Sequence, residues 1–180
     1  MQRHKIVFGG AMGAGKSQAI SSLSEIKVLS TEAFNTDDMA HTKLLTTVGI
    51  DYGEISLDAE TRIGLYGTPG QTRFSFIWPI IAKGSLGVII LVDHTAQNPL
   101  TDLSTYIEAF GKTSDNLIIG VTHIDQRPDR PTSIYRDWLH QQGRTYPLFF
   151  IDARKREDVL LLVETMIASL EAQLGSMSAD

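Results

Sequence analysis

Eight residues near the start of the chain have the types and the spacing of a loop that binds phosphate. The pattern GxxxxGK[ST] fits residues 10–17, which read GAMGAGKS and lie between a predicted strand and a predicted helix. Glycines let the backbone turn successive N–H groups toward phosphate oxygens, and the start of the helix adds the positive end of its dipole. We predict that Lys16 reaches the β- and γ-phosphates of a nucleoside triphosphate and that the Ser17 hydroxyl binds Mg²⁺. The residues predicted to contact phosphate here are Gly10, Gly13, Ala14, Gly15, Lys16, Ser17 and Gln18.

The elements that position this loop follow from short apolar runs that alternate with helix-like segments, a pattern that predicts a parallel α/β sheet. The predicted strands are residues 5–8, 50–57, 61–66, 86–92, 116–121 and 148–151. Strand 50–57 alternates apolar and polar residues, so we predict an edge strand that pairs antiparallel with 61–66 across a turn at 58–60. The predicted helices are residues 16–24, 100–110, 133–142 and a last helix whose apolar residues repeat at three-and-four spacing up to Leu174.

Composition limits the function classes that remain. A length of 180 residues suits one domain, which we place at residues 1–174, with a flexible tail at 175–180. The formal net charge of −5 argues against nucleic-acid binding, which needs a basic face. Because the chain has no cysteine, it cannot use disulfides, zinc–thiolate sites, or prenyl or palmitoyl anchors. With no predicted signal peptide or membrane helix, we expect a cytoplasmic protein without an intrinsic membrane or lipid anchor.

Residues 121–125, which read VTHID, resemble the [N/T]KxD segment by which Ras-like small GTPases read guanine. The resemblance implies that the Asp125 carboxylate accepts hydrogen bonds from the N1–H and the exocyclic amine of guanine. It also implies that Thr122 holds this segment against the phosphate loop. His123 replaces the usual lysine, whose stem lies along the base, and an imidazole could stack there. The alternative is an ordinary loop at the end of a strand, which is the less favoured interpretation and loses further weight beside the phosphate loop.

The second guanine-contacting segment of the family reads SAK, and residues 152–154, which read DAR, occupy its place before the last helix. The resemblance implies that the backbone N–H of Ala153 meets the guanine O6 and that Arg154 lies at the base. A solvated helix start is an equally good interpretation of the tripeptide on its own.

Residues 46–51, which read TTVGID, are similar to the TxGxD segment that follows the first switch of Rab-like proteins. This similarity implies that Thr47 gives a second hydroxyl to Mg²⁺ and a backbone N–H to the γ-phosphate. The alternative is an ordinary strand start. The polar stretch 31–38, in the first switch, is expected to be mobile.

Residues 67–71, which read GTPGQ, align with the DTAGQ segment of the family. The alignment implies that the Gly70 N–H bonds the γ-phosphate and that Gln71, as a catalytic residue, orients the attacking water. Gly67 stands where an aspartate normally holds Mg²⁺-bound water, so we expect weaker or differently organised Mg²⁺ binding and slow hydrolysis. Action of Asp93 there through water is the alternative, and a structural role for it is the favoured interpretation.

An apolar cluster follows Gln71 and is similar to the second switch of ADP-ribosylation-factor-like proteins and of the signal-recognition-particle receptor β subunit. We weigh core packing and a partner-binding surface equally for its members. Arg73, within it, could be an arginine finger in cis, but a structural or solvated arginine is favoured. The cluster consists of Phe74, Phe76, Ile77, Trp78, Pro79, Ile80 and Ile81.

Together these segments cover residues 5–174 and imply a P-loop NTPase with a Ras-like G domain, whose mostly parallel six-stranded sheet has helices on both faces. The implied function is a regulatory GTPase that binds GTP or GDP with Mg²⁺. In look the chain is nearest to the bacterial polarity and gliding-motility type, whose protein effector or activator is often a roadblock/LC7-type dimer. The alternatives are a non-catalytic GTP-binding scaffold and a P-loop kinase, although the arginine-rich lid of such kinases is not found in the sequence.

Overall fold

The computed structural model describes residues 2–31 and 49–177 of the chain. Its strands are β1 (Gln2–Gly9), β2 (Leu29–Ser30), β3 (Asp51–Ser56), β4 (Thr61–Gly67), β5 (Gly87–Asp93), β6 (Leu117–Thr122) and β7 (Leu148–Phe150). Its α-helices are α1 (Lys16–Leu23), α2 (Trp78–Ala82), α3 (Pro99–Phe110), α4 (Ser133–Gln141) and α5 (Arg156–Met177). Two 3₁₀ segments cover Thr72–Ile77 and Ile124–Gln126.

The strands form one sheet in the order β2-β3-β4-β1-β5-β6-β7. β3 runs antiparallel to β2 and β4, while β4, β1, β5, β6 and β7 are mutually parallel. The fold class and the antiparallel edge are therefore as predicted, and each of the six predicted strands is present. The count of six is wrong for the described residues, because β2 adds a seventh strand. That strand has two exposed residues and no apolar run, so periodicity gives no signal for it.

Helices cover both faces of the sheet and enclose two cores. Because successive side chains of a strand point to opposite faces, Ile6 and Phe8 lie in one core and Val7 lies in the other. The first core is completed by α1 and α5, and the second by α2, α3 and α4. The parallel strands are therefore buried on both faces, which explains their nearly continuous apolar runs.

The helices begin and end close to the predicted positions, with two differences. α5 continues to Met177, so residues 175–177 of the predicted tail are helical. Residues 72–82, predicted only as an apolar cluster, form a 3₁₀ segment followed by α2. Pro79 lies in the first turn of α2, where its missing N–H has no helical partner to lose.

Candidate functional site

The loop between β1 and α1 has the backbone shape that its glycines predict. Gly10, Gly13 and Gly15 have φ values of +144°, +84° and +95°, in the region that residues with a Cβ atom rarely adopt. Gly10 also has no room for a side chain, because an added Cβ would lie 2.3 Å from the carbonyl oxygen of Leu91. This loop is therefore fixed by close packing against β5 as well as by its own turns.

Lys16 is the first residue of α1, and its side chain folds back against the backbone of the loop. Its Nζ donates hydrogen bonds to the carbonyl oxygens of Gly10 at 2.7 Å and Ala11 at 2.8 Å, and the residue is 8% exposed. Burial lowers the pKa of Lys16 to about 8, and the negative charge of Asp51 opposes part of that shift. A polyphosphate in the loop would therefore meet a largely desolvated ammonium group, which makes the attraction between them strong.

Ser17, which supplies the first hydroxyl of the predicted Mg²⁺ site, is exposed. Its Oγ donates a short hydrogen bond to Oδ2 of Asp51, the first residue of β3. A hydroxyl beside a carboxylate is the oxygen chemistry that Mg²⁺ prefers, so these residues fit that ion. Among the described residues, no group of three or more histidines, cysteines and acidic residues could hold a metal on its own.

The segment after β4 packs directly on the phosphate loop. A Cβ added to Gly70 would lie 2.5 Å from the backbone nitrogen of Met12, so only glycine fits at this approach. Two side chains hold the segment from behind: Trp78 Nε1 donates to the Pro69 carbonyl oxygen at 2.8 Å, and the Tyr106 hydroxyl donates to that of Gly70 at 3.1 Å. The structure thus places the Gly70 backbone beside the loop predicted to hold phosphate.

Thr122, at the end of β6, ties the predicted base-reading segment to the phosphate loop. Its hydroxyl donates to the carbonyl oxygen of Ala14 at 3.0 Å and is buried. A Cβ added to Gly15 would lie 3.2 Å from the Cβ of Ala153, so the segment before α5 touches the loop as well. Three segments that are far apart in sequence therefore meet at one place.

The predicted guanine reader, Asp125, lies in the 3₁₀ segment directly after Thr122 and His123, and it is exposed. His123 has φ +58°, and its Nδ1 lies 3.1 Å from Asp93 Oδ1. The imidazole is thus turned toward Asp93. The Asp93 carboxylate also accepts hydrogen bonds from the backbone N–H of Thr95 at 2.8 Å and from its hydroxyl at 2.6 Å. These contacts all involve Oδ1 of Asp93, and its structural role stays the favoured prediction.

Arg154 is paired with a carboxylate of its own segment. Its Nη2 lies 2.7 Å from Asp152 Oδ2, and this pairing lowers the pKa of Asp152. Hydrogen bonding to Asp152 is also the main reason that the pKa of Arg154 is raised, with a smaller contribution from the charge of Asp125. Asp125 is thus close enough to Arg154 for their charges to interact.

Comparison with known proteins adds independent information about these segments. No family model matches the chain. Ras-related protein Rab-18-B of Danio rerio is 28% identical over 174 residues, which cover 92% of this chain and 78% of that protein. Rab-18 of Lymnaea stagnalis is 26% identical over 157 residues, 83% of this chain and 70% of that protein. A Ras and EF-hand domain-containing protein of Danio rerio is 26% identical over 163 residues, 86% of this chain but only 23% of that protein.

These relatives support the Ras-like small GTPase superfamily. The seven-stranded mixed sheet with helices on both faces is consistent with a Ras-like G domain. Among the described residues, no helix is both long enough and apolar enough to span a membrane.

In this Ras-like arrangement, the predicted catalytic glutamine is partly exposed beside the phosphate loop. Gln71 Nε2 donates to the sulfur of Met12 at 3.7 Å, and the Met12 side chain is 72% exposed. Arg73 lies over the ring of Phe74, 4.8 Å from its centroid, so the guanidinium has an aromatic partner. Arg73 also lines the cleft of the site, and its structural or solvated role, favoured over an arginine finger, stays a prediction.

A cleft of about 650 Å³, a size within the usual range for a small-molecule site, lies between the loop of residues 10–17 and the segment after β4. The predicted guanine-contacting residues are not among those that line it. Its lining includes Lys16, Ser17, Gln18, Asp51, Gly70 and Gln71. The predicted second Mg²⁺ hydroxyl, Thr47, lies outside the described residues, as do residues 32–38 of the predicted mobile stretch.

Sequence reasoning missed Asp51 as a site residue, although it is in contact with Ser17. A signal for it was present in the predicted hairpin. With the turn centred on residue 59, antiparallel pairing places residue 51 opposite residue 67, as observed. The acidic side chain could thus have been assigned to the position beside Gly67.

Proposed function

We propose that this chain is a small regulatory GTPase that binds GTP and GDP with Mg²⁺ and hydrolyses GTP slowly. The hydrogen bond between Thr122 and the Ala14 carbonyl oxygen carries this proposal. It joins a loop suited to phosphate to a segment suited to guanine, at a separation fixed by the fold. The Asp125 carboxylate accepts hydrogen bonds from the N1–H and the exocyclic amine of guanine. The backbone N–H of Ala153 donates a hydrogen bond to the guanine O6. Adenine offers neither of the donors that Asp125 needs, so the site selects guanine.

At the other end of the nucleotide, the phosphate loop and Lys16 bind the β- and γ-phosphates. Bound Mg²⁺ supplies charge neutralisation on these phosphates, and Ser17 and Thr47 are the hydroxyls that hold it. Gln71 leaves its contact with Met12 and orients a water molecule. The water oxygen forms a bond to the γ-phosphorus while the bond to the β–γ bridging oxygen breaks, which releases GDP and phosphate. One proton of the water stays on the released phosphate and the other passes to solvent.

The regulatory part of the proposal rests on the surface beside Gln71. Phe76 and Ile80 are 67% and 68% exposed, whereas Trp78 between them is buried and bonded to Pro69. Gly70, whose N–H binds the γ-phosphate, lies in the segment that leads directly into this surface. The conformation of the surface therefore changes when the γ-phosphate is lost. We assign it to a protein effector or activator, such as a roadblock/LC7-type dimer, in bacterial polarity or motility in the cytoplasm.

The test is equilibrium binding of GTP, GDP and ATP with and without Mg²⁺, followed by single-turnover hydrolysis of bound GTP. We expect tight binding of both guanine nucleotides, weak binding of ATP and slow turnover. Preference for ATP would contradict the proposal and indicate a P-loop kinase. Guanine binding without turnover, even with candidate activators, would leave a non-catalytic GTP-binding scaffold.

A further inference from the structure

The missing carboxylate at position 67 has a neighbour that can replace it. Gly67 is the last residue of β4, and in the antiparallel pair with β3 it lies directly opposite Asp51. An added Cβ on Gly67 would lie 3.2 Å from the Cβ of Asp51 and 3.3 Å from its Oδ2. The Asp51 side chain thus occupies the space that a side chain at position 67 would enter.

Asp51 is also hydrogen-bonded to Ser17, the residue predicted to give Mg²⁺ a hydroxyl ligand. Ser17 Oγ donates its proton to Asp51 Oδ2, and a serine hydroxyl has one proton to donate and two lone pairs. With the proton committed to the carboxylate, the lone pairs are free to face the cleft, which is the orientation that a metal-ligating hydroxyl needs. Asp51 therefore does for Ser17 what an outer-shell carboxylate does for a metal ligand.

Other carboxylates are less suited to this role. Among the described residues that line the cleft, Asp51 alone is acidic. The Asp93 carboxylate, the candidate that the sequence suggested, is bonded to Thr95 and lies against His123. Its Oδ1 is therefore engaged on the base-reading side of the site, and Asp93 is not among the residues that line the cleft.

We propose that Asp51 is the carboxylate of the Mg²⁺ site, positioning the Ser17 hydroxyl and attracting the cation in place of a residue at position 67. Because Gly67 has no side chain, it leaves room for the Asp51 carboxylate. This inference rests on the proposed function, because it concerns Mg²⁺ bound with a guanine nucleotide. Asp51 acts as a positioning residue through Ser17.

The test measures release of a fluorescent GDP analogue over a range of free Mg²⁺ concentrations, with EDTA as the metal-free limit. In wild type, Mg²⁺ slows release. For Asp51→Asn and Asp51→Ala we expect the Mg²⁺ concentration that half-maximally slows release to rise about tenfold or more, as for lost outer-shell carboxylates. Release in EDTA should stay within about twofold of wild type, because the metal-free complex does not use this role.

Two single variants are matched controls. Glu60→Gln removes a carboxylate from the far end of the same hairpin, where Glu60 is exposed. Asp93→Asn removes the alternative carboxylate. Both should keep the wild-type Mg²⁺ dependence, and a loss in Asp93→Asn with none in Asp51→Asn would overturn the assignment.

A second test moves the carboxylate from position 51 to position 67. Its expected result is a recovery of the Mg²⁺ dependence rather than a loss. In the Asp51→Gly background, Gly67→Asp should recover most of the Mg²⁺ dependence, since the nearest other atom is the flexible end of Ile20 at 3.0 Å. Failure of this rescue, with EDTA release unchanged, would overturn the inference.

The two proposals fail in different ways. If wild type shows no Mg²⁺ response or no preference for guanine, the proposed function is wrong. If wild type responds to Mg²⁺ and the Asp51 variants respond equally, only the inference about Asp51 is wrong.

Discussion

The Thr122 hydroxyl donates a hydrogen bond to the carbonyl oxygen of Ala14 across 108 residues of sequence, and both residues are buried. It also lies within hydrogen-bond distance of the Val92 carbonyl oxygen, at 3.2 Å. The end of β6 is thereby held to the phosphate loop and to β5 at once. This contact sets the distance between the two groups of residues proposed to hold opposite ends of one nucleotide.

Replacement of Thr122 by valine keeps the shape of the side chain and removes its hydroxyl. Since the Ala14 carbonyl oxygen then lacks its buried partner, we expect the free energy of unfolding to fall by about 1–3 kcal/mol. We also expect GDP affinity to fall about tenfold, because the two loops are no longer tied. Denaturant unfolding and GDP titration measure these effects. Thr122→Ser, which keeps the hydroxyl, is the control, and wild-type GDP affinity in Thr122→Val would contradict the role of this contact.

Lys16 makes nucleotide binding depend on pH. Burial lowers its pKa to about 8 in the free protein, so about half of the molecules hold a neutral Lys16 at pH 8. A bound polyphosphate favours the charged form and raises this pKa, and binding must then take up protons. Triphosphate affinity should therefore be full well below pH 8 and decrease as the pH rises above it.

Calorimetric titration at pH 8 in buffers of different ionisation enthalpy measures this uptake directly. We expect roughly half a proton per bound GTP for wild type. Lys16→Arg should take up none by this route, because the guanidinium stays charged. Equal uptake by the two proteins would show that Lys16 does not titrate on binding.

Replacement of Gln71 should slow GTP hydrolysis without weakening nucleotide binding. Gln71→Leu removes the amide that orients water, and the residue lies at the edge of the cleft. We expect GTP and GDP affinities within about twofold of wild type and single-turnover hydrolysis slowed about tenfold or more. Gln141→Leu, an exposed glutamine at the end of α4, is the control. Unchanged turnover in Gln71→Leu would remove this residue from the mechanism.

Much of the fold could be predicted because its signals are local. The glycines of residues 10–17 specify the loop, and the three-and-four repeat ending near Leu174 specifies α5. The parallel strands are recognisable since burial on both faces leaves continuous apolar runs. β2 could not be found in this way, because it consists of two exposed residues whose pairing with β3 is a tertiary event.

The site was predicted less completely, because its remaining features depend on side chains meeting across elements. The His123 imidazole faces Asp93, and His123 has a positive φ that could not be predicted from its residue type. The apolar cluster after Gln71 is divided by packing: Trp78 is 1% exposed, whereas Phe76 and Ile80 lie on the surface. Its core and surface members are all apolar, so hydrophobicity alone could not separate them.

The central claim is that Asp125 and the phosphate loop bind opposite ends of one guanosine triphosphate. The most direct measurement compares the affinities of wild type and Asp125→Asn for GTP and xanthosine triphosphate. Xanthine has a carbonyl oxygen where guanine has an amine, so the asparagine amide can donate where the aspartate accepted. We predict that wild type prefers GTP and that Asp125→Asn prefers the xanthine nucleotide, each by about tenfold or more. A variant that keeps the wild-type preference for GTP would contradict the account.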